Sequence, residues 1–367
     1  MSRVPDSDLD ALLDHLARTA EAAPPAPRFE RAAADPCGPW LAQVRRARGL
    51  ADRSALEHRA RLDAAARELF GTTAAALLGQ PRRRLERRSV DVAVPTAAGL
   101  AELVENLPVS VPAGPPPQCA DSQPRVQVHL TTPPHPTAGV VRLHGGAFWM
   151  GGGQVARTID RTLVDHVADV ANAVVFDVDH RLAPEHPFPA AVADVLAVLD
   201  AVRAGLGGVP DGPLGLLGTS SGANIATLAA RLDGHRAAHP PLAALALVVP
   251  SVELQHASTS MLRDPDAWAH RLDQLRGYLG PHIDPADTWI SPGTLEFLPA
   301  MPPTFAVTAQ FDDVAAGGEG LVAAIVAAGT PAQARSYPMT HTTATPQVEA
   351  QYIRDVASFL RDALPPR

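Results

Sequence analysis

The sequence predicts an α/β protein, with a mostly parallel, doubly wound sheet preceded by a helical segment of about 84 residues. Three observations carry that expectation. Hydrophobic periodicity is helical up to about residue 84 and alternates from Ser89 onward. Beyond Val140, short apolar runs alternate with helical patterns, as in a sheet whose crossovers are helices. Gly218-Thr219-Ser220-Ser221-Gly222 stands between a strand-like run and a helix start, the setting of a sharp turn that presents a serine hydroxyl at the end of a sheet.

The elements follow in order. Leu9, Leu12, Leu13 and Leu16 fall on one face of a helix over about Asp8 to Thr19. After a Pro-rich break from Ala23 to Pro27, a second helix is expected over about Asp52 to Leu69, stopped by Gly71 and Gly79-Gln80-Pro81. Val90, Val92 and Val94, then Val126, Val128 and Leu130, alternate as strands do, and Thr96 to Gln123 between them reads as a surface excursion. Strands are expected at Val140 to Leu143, Ala173 to Val178, Leu214 to Leu217, Leu242 to Val249 and Phe305 to Thr308, with a plausible short one at Ala334 to Tyr337. Helices are expected at Val155 to Ala171, Ala190 to Ala204, Asn224 to Leu232, Val314 to Ala328 and Val348 to Leu364. Ser251 to Asp287 breaks the rhythm and reads as an insertion above the sheet, with a helix near Asp266 to Leu279.

Composition narrows the function. At 367 residues and 46% hydrophobic content, the chain can bury one large core and a smaller accessory unit. A net charge of −8 gives no electrostatic ground for a nucleic-acid or anionic-membrane partner. The cluster Arg82, Arg83, Arg84, Arg87 and Arg88 is interrupted by Glu86, lacks stacking aromatics, and reads as a solvated linker. Every basic residue is arginine, which excludes lysine Schiff-base chemistry. Cys37 and Cys119 are too few for a disulfide framework and fit a reducing compartment. Met1 to Asp10 lacks a signal peptide's apolar core and the longest apolar runs are strand-length, so a soluble cytoplasmic protein is expected. No metal or organic cofactor is expected, since neither a His-x-x-x-His pair on a helix nor a dinucleotide-binding glycine pattern occurs in the right setting.

Three separated pieces of chemistry describe a serine hydrolase site: His144-Gly145-Gly146-Ala147, the turn around Ser220, and Asp312 with His341. A serine hydroxyl is a poor nucleophile near neutral pH, so His341 is expected to take its proton while Asp312 fixes the tautomer of His341. Backbone N–H groups of Gly145, Gly146 and Ser221 are the candidate oxyanion donors. Phe148, Trp149 and Met150 are candidate pocket walls. Asp313 competes with Asp312 as the acid, whereas among 14 histidines His341 lies downstream of the acid, unlike His135, His180, His186 and His282. His144 reads as a structural residue pinning its glycine turn.

From about Val140 onward the chain resembles the hormone-sensitive-lipase-like branch of the α/β hydrolases, bacterial carboxylesterases with an N-terminal helical cap. The motifs are His144-Gly145-Gly146-Ala147-Phe148, the run from Asp179-His180-Arg181 through Pro184-Glu185-His186 to Pro189-Ala190, and Gly218 to Gly222. The resemblance implies an α/β-hydrolase fold, a cap formed by residues 1 to about 84 with a 251–287 insertion over a catalytic domain spanning 85–367, and Asp312 and His341 as acid and base. It makes Arg181, Glu185 and Asp194 scaffold residues. The chain departs from the family at His180, where Tyr is usual, at Asp313, where Pro is usual, and at Thr342-Thr343 after His341, where Gly-Phe is usual.

The leading expectation is a carboxylic-ester hydrolase using a Ser220 acyl-enzyme on a small or medium acyl ester. The altered surroundings of His341 keep elimination or acyl transfer on a biosynthetic, acylated metabolite as the alternative. A catalytically inert ligand-binding protein is the remote one.

Overall fold

The computed structural model describes residues 7–18, 27–34, 38–105, 124–209, 211–236, 240–254, 265–280, 283–287, 289–291 and 301–366. Four helices lead the chain: α1 (Ser7–Arg18), α2 (Phe29–Ala34), α3 (Pro39–Phe70) and α4 (Ala74–Leu78). Then come β1 (Glu86–Ala93), α5 (Ala97–Glu105), β2 (Arg125–Thr132), β3 (Ala138–Leu143), α6 (Gln154–Ile159), α7 (Arg161–Val170) and β4 (Ala173–Asp179). They are followed by α8 (Ala190–Arg203), β5 (Leu214–Thr219), α9 (Ser221–Gly234), β6 (Ala244–Val248) and α10 (Pro265–Leu279). The chain closes with β7 (Thr304–Phe311), α11 (Ala315–Ala327), β8 (Ala332–Thr340) and α12 (Pro346–Ala363).

Among the described residues the strands form one eight-stranded sheet, ordered β1-β2-β4-β3-β5-β6-β7-β8. The β1–β2 and β2–β4 pairs are antiparallel, and every later pair is parallel. The central strands are apolar on both faces because helices cover both. Successive side chains serve opposite cores. Val140, Val175, Leu217 and Val307 pack with Leu163 and Val167 of α7 and Ile353 and Leu360 of α12. Val141, Phe176, Leu216 and Leu247 pack with Val192 of α8, Ile225 of α9 and Leu321 of α11. This topology gathers the carboxyl ends of β3, β5, β6, β7 and β8 along one edge, where ligands meet such sheets.

The structure corrects several boundaries. The second helix begins at Pro39, not near Asp52, with proline at its first turn where a missing N–H costs nothing. The single helix expected over Val155 to Ala171 is two, broken at Asp160. The break lets the Asp160 carboxylate meet the guanidinium of Arg142, a fully buried residue of β3 that also donates to Asp177 Oδ1 at 2.8 Å. A buried cation in a central strand is tolerable only with such partners. Arg87 and Arg88 lie within β1 rather than in a linker, and Arg87 pairs with Asp165 of α7 at 2.7 Å. Within the expected surface excursion, Ala97–Glu105 is a helix, while residues 106–123 lie outside the described residues, as do Cys37 and Cys119. The short strand expected at Ala334 to Tyr337 is the nine-residue β8.

Candidate active site

Ser220 occupies the sharp turn between β5 and α9, at φ 55° and ψ −118°. A side chain with positive φ is strained, and the surrounding contacts must enforce it. Its N–H donates to the Val248 carbonyl at 2.8 Å, and its own carbonyl accepts from Ala223 at 3.0 Å and Ser251 at 3.2 Å. The flanking glycines let backbones approach closely. A Cβ on Gly218 would sit 2.5 Å from the Gly222 carbonyl oxygen, and one on Gly222 would collide with the carbonyls of Leu143 and His144. The G-x-S-x-G spacing is therefore a packing requirement of the junction between β3, β5 and α9.

The Ser220 Oγ lies 2.8 Å from His341 Nε2, and His341 Nδ1 lies 2.7 Å from Asp312 Oδ2. β8 delivers His341 at its end, where Thr340 N–H donates to the Thr343 carbonyl at 2.9 Å and closes the turn. Asp312 is buried at the end of β7, and its Oδ1 also accepts from Val314 N–H at 3.2 Å. Its rival Asp313 is exposed. The structure thus joins the three residues singled out from the sequence into one hydrogen-bonded chain at the carboxyl edge of the sheet.

The loop after β3 lies against this chain. A Cβ on Gly145 would stand 3.2 Å from Ser220 Cβ, so the glycine brings the loop backbone against the Ser220 turn. Gly146, at φ 125°, turns the chain so that its carbonyl accepts from Trp149 and Met150 N–H, both at 3.0 Å. Among the described residues no acceptor pairs with the N–H of Gly145, Gly146 or Ser221. These donors are at hand for a developing anion. His144 pins the turn through Nδ1, which donates to the Gly145 carbonyl at 2.7 Å, and its ring stacks on His180 at 4.2 Å. Burial, reinforced by the neighbouring His180, holds the His144 imidazole well below its ordinary pKa, so it is neutral.

Two contacts invisible in the sequence steady this loop from α3. Arg48 donates to the Trp149 carbonyl and makes two bonds to Glu185, at 2.6 and 2.8 Å, while Asp52 Oδ1 accepts from Gly151 N–H at 2.9 Å. Glu185 is thus more than a scaffold residue of its own turn, since it also holds α3. Arg181 forks onto the buried Asp194, with Nε 2.8 Å from Oδ1, as the scaffold reading expects. Phe148 is buried and stacks on Tyr278 of α10 at 3.8 Å; Trp149 is buried edge-on against Phe29 of α2 at 4.9 Å. Met150 packs on the same α2 and α3 cluster. The signal that could have found Arg48 and Asp52 is their spacing of four on one helix face, which sequence alone could not aim at a loop a hundred residues away.

Among the described residues no cluster of three histidine, cysteine or acidic side chains is arranged to hold a metal, and no helix is long and apolar enough to cross a membrane.

The sequence pattern of the alpha/beta hydrolase fold family matches residues 140–344. The chain is 33% identical over 214 residues to the carboxylesterase NlhH of Mycobacterium tuberculosis, a match covering 55% of this chain and 65% of that protein. It is 31% identical over 246 residues to the esterase LipI of the same organism, covering 63% of this chain and 71% of LipI. The chain therefore spans about two thirds of the length of these curated relatives. A bacterial heroin esterase shares the fold, with a TM-score of 0.66 at 19% identity, covering 98% of this chain and all of that one. The chain belongs to the α/β-hydrolase family, in its hormone-sensitive-lipase-like carboxylesterase branch.

Proposed function

We propose that this protein is a serine carboxylic-ester hydrolase acting on a small or medium acyl ester. The observation that carries the reading is the unbroken hydrogen-bond chain from Ser220 through His341 to Asp312 beside unpaired backbone N–H groups. His341 Nε2 takes the Ser220 hydroxyl proton as Oγ bonds to the ester carbonyl carbon. The oxyanion is held by the N–H groups of Gly145, Gly146 and Ser221, and Asp312 stabilises the transient imidazolium. Collapse expels the alcohol, which receives the proton from His341. Water then repeats the sequence: it gives a proton to His341, bonds to the acyl carbon and releases the acid, and the proton returns to Ser220.

Residues 1–84 and the 251–287 segment together form the cap in this reading. Supporting it, the N–H groups of Phe29 and Glu30 in α2 donate to Asp273 of α10 at 2.9 and 3.0 Å. Phe148, Trp149 and Met150 supply apolar wall where cap and catalytic domain meet. The names of the curated relatives, carboxylesterase and esterase, support hydrolysis over elimination or transfer. The intact chain of hydrogen bonds supports catalysis over inert ligand binding.

A 4-nitrophenyl ester series of increasing acyl length tests the reading. Turnover is expected to peak at one chain length and to fall at least about a thousandfold in Ser220→Ala. Equal turnover in that variant overturns it.

A further inference from the structure

We propose that Arg271 of α10 is a carboxylate-binding subsite, so that the preferred substrates are esters bearing a second, ionised carboxyl group. The proposal rests on the hydrolase reading and names its substrate class.

Arg271 is part-buried, and among the described residues its hydrogen-bond partner is the Ser251 hydroxyl, at a long 3.4 Å. Ser251 itself touches the nucleophile turn, donating its N–H to the Ser220 carbonyl at 3.2 Å. The guanidinium therefore stands two contacts from the reacting serine. Positions 271, 275 and 278 share one face of α10. Leu275 and Tyr278 on that face are buried in the main core, and Tyr278 stacks on Phe148 beside the oxyanion loop. The opposite face carries Asp273, which binds the N–H groups of α2, and Arg276, which pairs with Glu30 at 3.1 Å. The Asp273 carboxylate is thus turned away from Arg271.

Arg231 is also buried, with its pKa lowered to about 10 chiefly by desolvation, but its guanidinium lies over the Trp289 ring at 3.6 Å and feels the Asp287 carboxylate. Other buried or part-buried arginines have carboxylate partners. Arg142 has Asp160 and Asp177, Arg181 has Asp194, Arg59 has Glu349 and Asp63, and Arg203 has Asp233. Arg271 has no carboxylate partner among the described residues, and desolvation lowers its pKa to about 10. A desolvated cation without a counter-ion is costly, and persists where a ligand supplies the missing charge. A second observation points the same way. The Tyr278 hydroxyl, on the same helix face, is buried without a partner among the described residues. A guanidinium so placed offers paired donors to a carboxylate and leaves the ester carbonyl to Ser220.

The test compares matched esters in the full-length protein. Mono-4-nitrophenyl succinate against 4-nitrophenyl butyrate places the charge on the acyl side; 4-acetoxybenzoate against phenyl acetate places it on the alcohol side. Wild type is expected to favour the charged member of one pair in kcat/KM. Arg271→Gln is expected to lose about 10- to 100-fold on that ester alone, through KM, while Arg271→Lys retains most of the preference. Equal losses on charged and neutral esters, or no preference in wild type, overturn the proposal. Should Arg271→Gln fail to fold, wild type still decides: monomethyl succinate must inhibit neutral-ester turnover more strongly than its uncharged amide, and equal inhibition overturns the subsite. Absent turnover of every ester, with no fluorophosphonate labelling of Ser220, sinks the hydrolase reading instead. Calorimetric binding of monomethyl succinate, lost in Arg271→Gln, would then still uphold the anion subsite, and no binding would overturn it.

Discussion

Gly145 and Gly222 carry no functional group, yet they separate two ways of damaging the proposed catalytic machinery. A methyl on Gly145 would press at 3.1 Å on the Thr219 carbonyl and 3.2 Å on Ser220 Cβ, displacing a loop that can yield. Gly145→Ala is expected to lower kcat by about tenfold, less than the roughly hundredfold loss of a full 1 Å misplacement, with the denaturation midpoint nearly unchanged. A methyl on Gly222 meets two backbone carbonyls at the end of β3, which cannot yield. Gly222→Ala is expected to cost about 1–3 kcal/mol of stability as well as activity, read as a lowered midpoint in urea. A Gly145 variant that unfolds, or a Gly222 variant as stable as wild type, would refute this division. Asp312→Asn should leave the fold intact and lower kcat by about four orders of magnitude, because the amide favours the wrong tautomer of His341. Ser220 and Asp312 were legible in the sequence because each follows an apolar run, and His341 because, among the histidines, it lies downstream of the acid in the order such folds use. Arg271 and Tyr278 were not, because helical periodicity places both on one face of α10 without saying what that face covers.

At the scale of elements, α3 is the piece that sequence describes least and the site uses most. Its N-terminal half shows weak periodicity, since beside Leu41, Val44 and Ala47 the positions four and seven after Leu41 are Arg45 and Arg48, where a wider core-facing stripe would be apolar. In the structure those charges are the contact. Arg48 and Arg45 hold Glu185, and Arg59 in the middle of the same helix bonds Glu349 of α12 at 2.6 Å. Arg48→Ala leaves Glu185 with only the more exposed Arg45 as partner, so it is expected to destabilise the protein by about 1.5–3 kcal/mol, the range for hydrogen bonds to a charged group. The same substitution frees the Trp149 carbonyl, and KM for esters should rise more than kcat falls. Unchanged KM in a destabilised variant would show that α3 anchors the molecule without shaping its pocket. β8 was underestimated for a related reason. It is an edge strand whose Gln333, Arg335 and Ser336 are exposed and whose Pro338 removes an N–H, so apolar alternation survives only around Tyr337 and Met339. The break between α6 and α7 leaves no proline or glycine signal at all, because what stops the helix at Asp160 is a salt bridge to Arg142 from another strand.

At the scale of the whole molecule, burial of imidazoles couples the fold to pH. His58, His129, His144, His166, His186 and His270 all have pKa values lowered from 6.5, in each case chiefly by desolvation. Their positions span α3, β2, the loop after β3, α7, the His186 turn and α10. A base whose folded pKa is depressed binds more protons unfolded than folded between its two pKa values. Its contribution is therefore complete above the unfolded value of 6.5 and is lost as pH falls below it. Each extra proton taken up on unfolding steepens the fall by about 1.4 kcal/mol per pH unit, so several imidazoles acting together give a steep dependence. Asp52 and Asp160, raised from 3.8 mainly by burial, act in the opposite sense, starting from the lower carboxylate range. Between about pH 7.5 and about pH 5.5 the imidazoles should dominate, and the urea midpoint should fall steadily. His166→Gln removes one of them on α7, away from the proposed triad, and should flatten that fall while leaving ester turnover at neutral pH unchanged. A flat wild-type profile, or a variant that tracks wild type across the whole range, would mean that these imidazoles gain their protons without cost to the folded state.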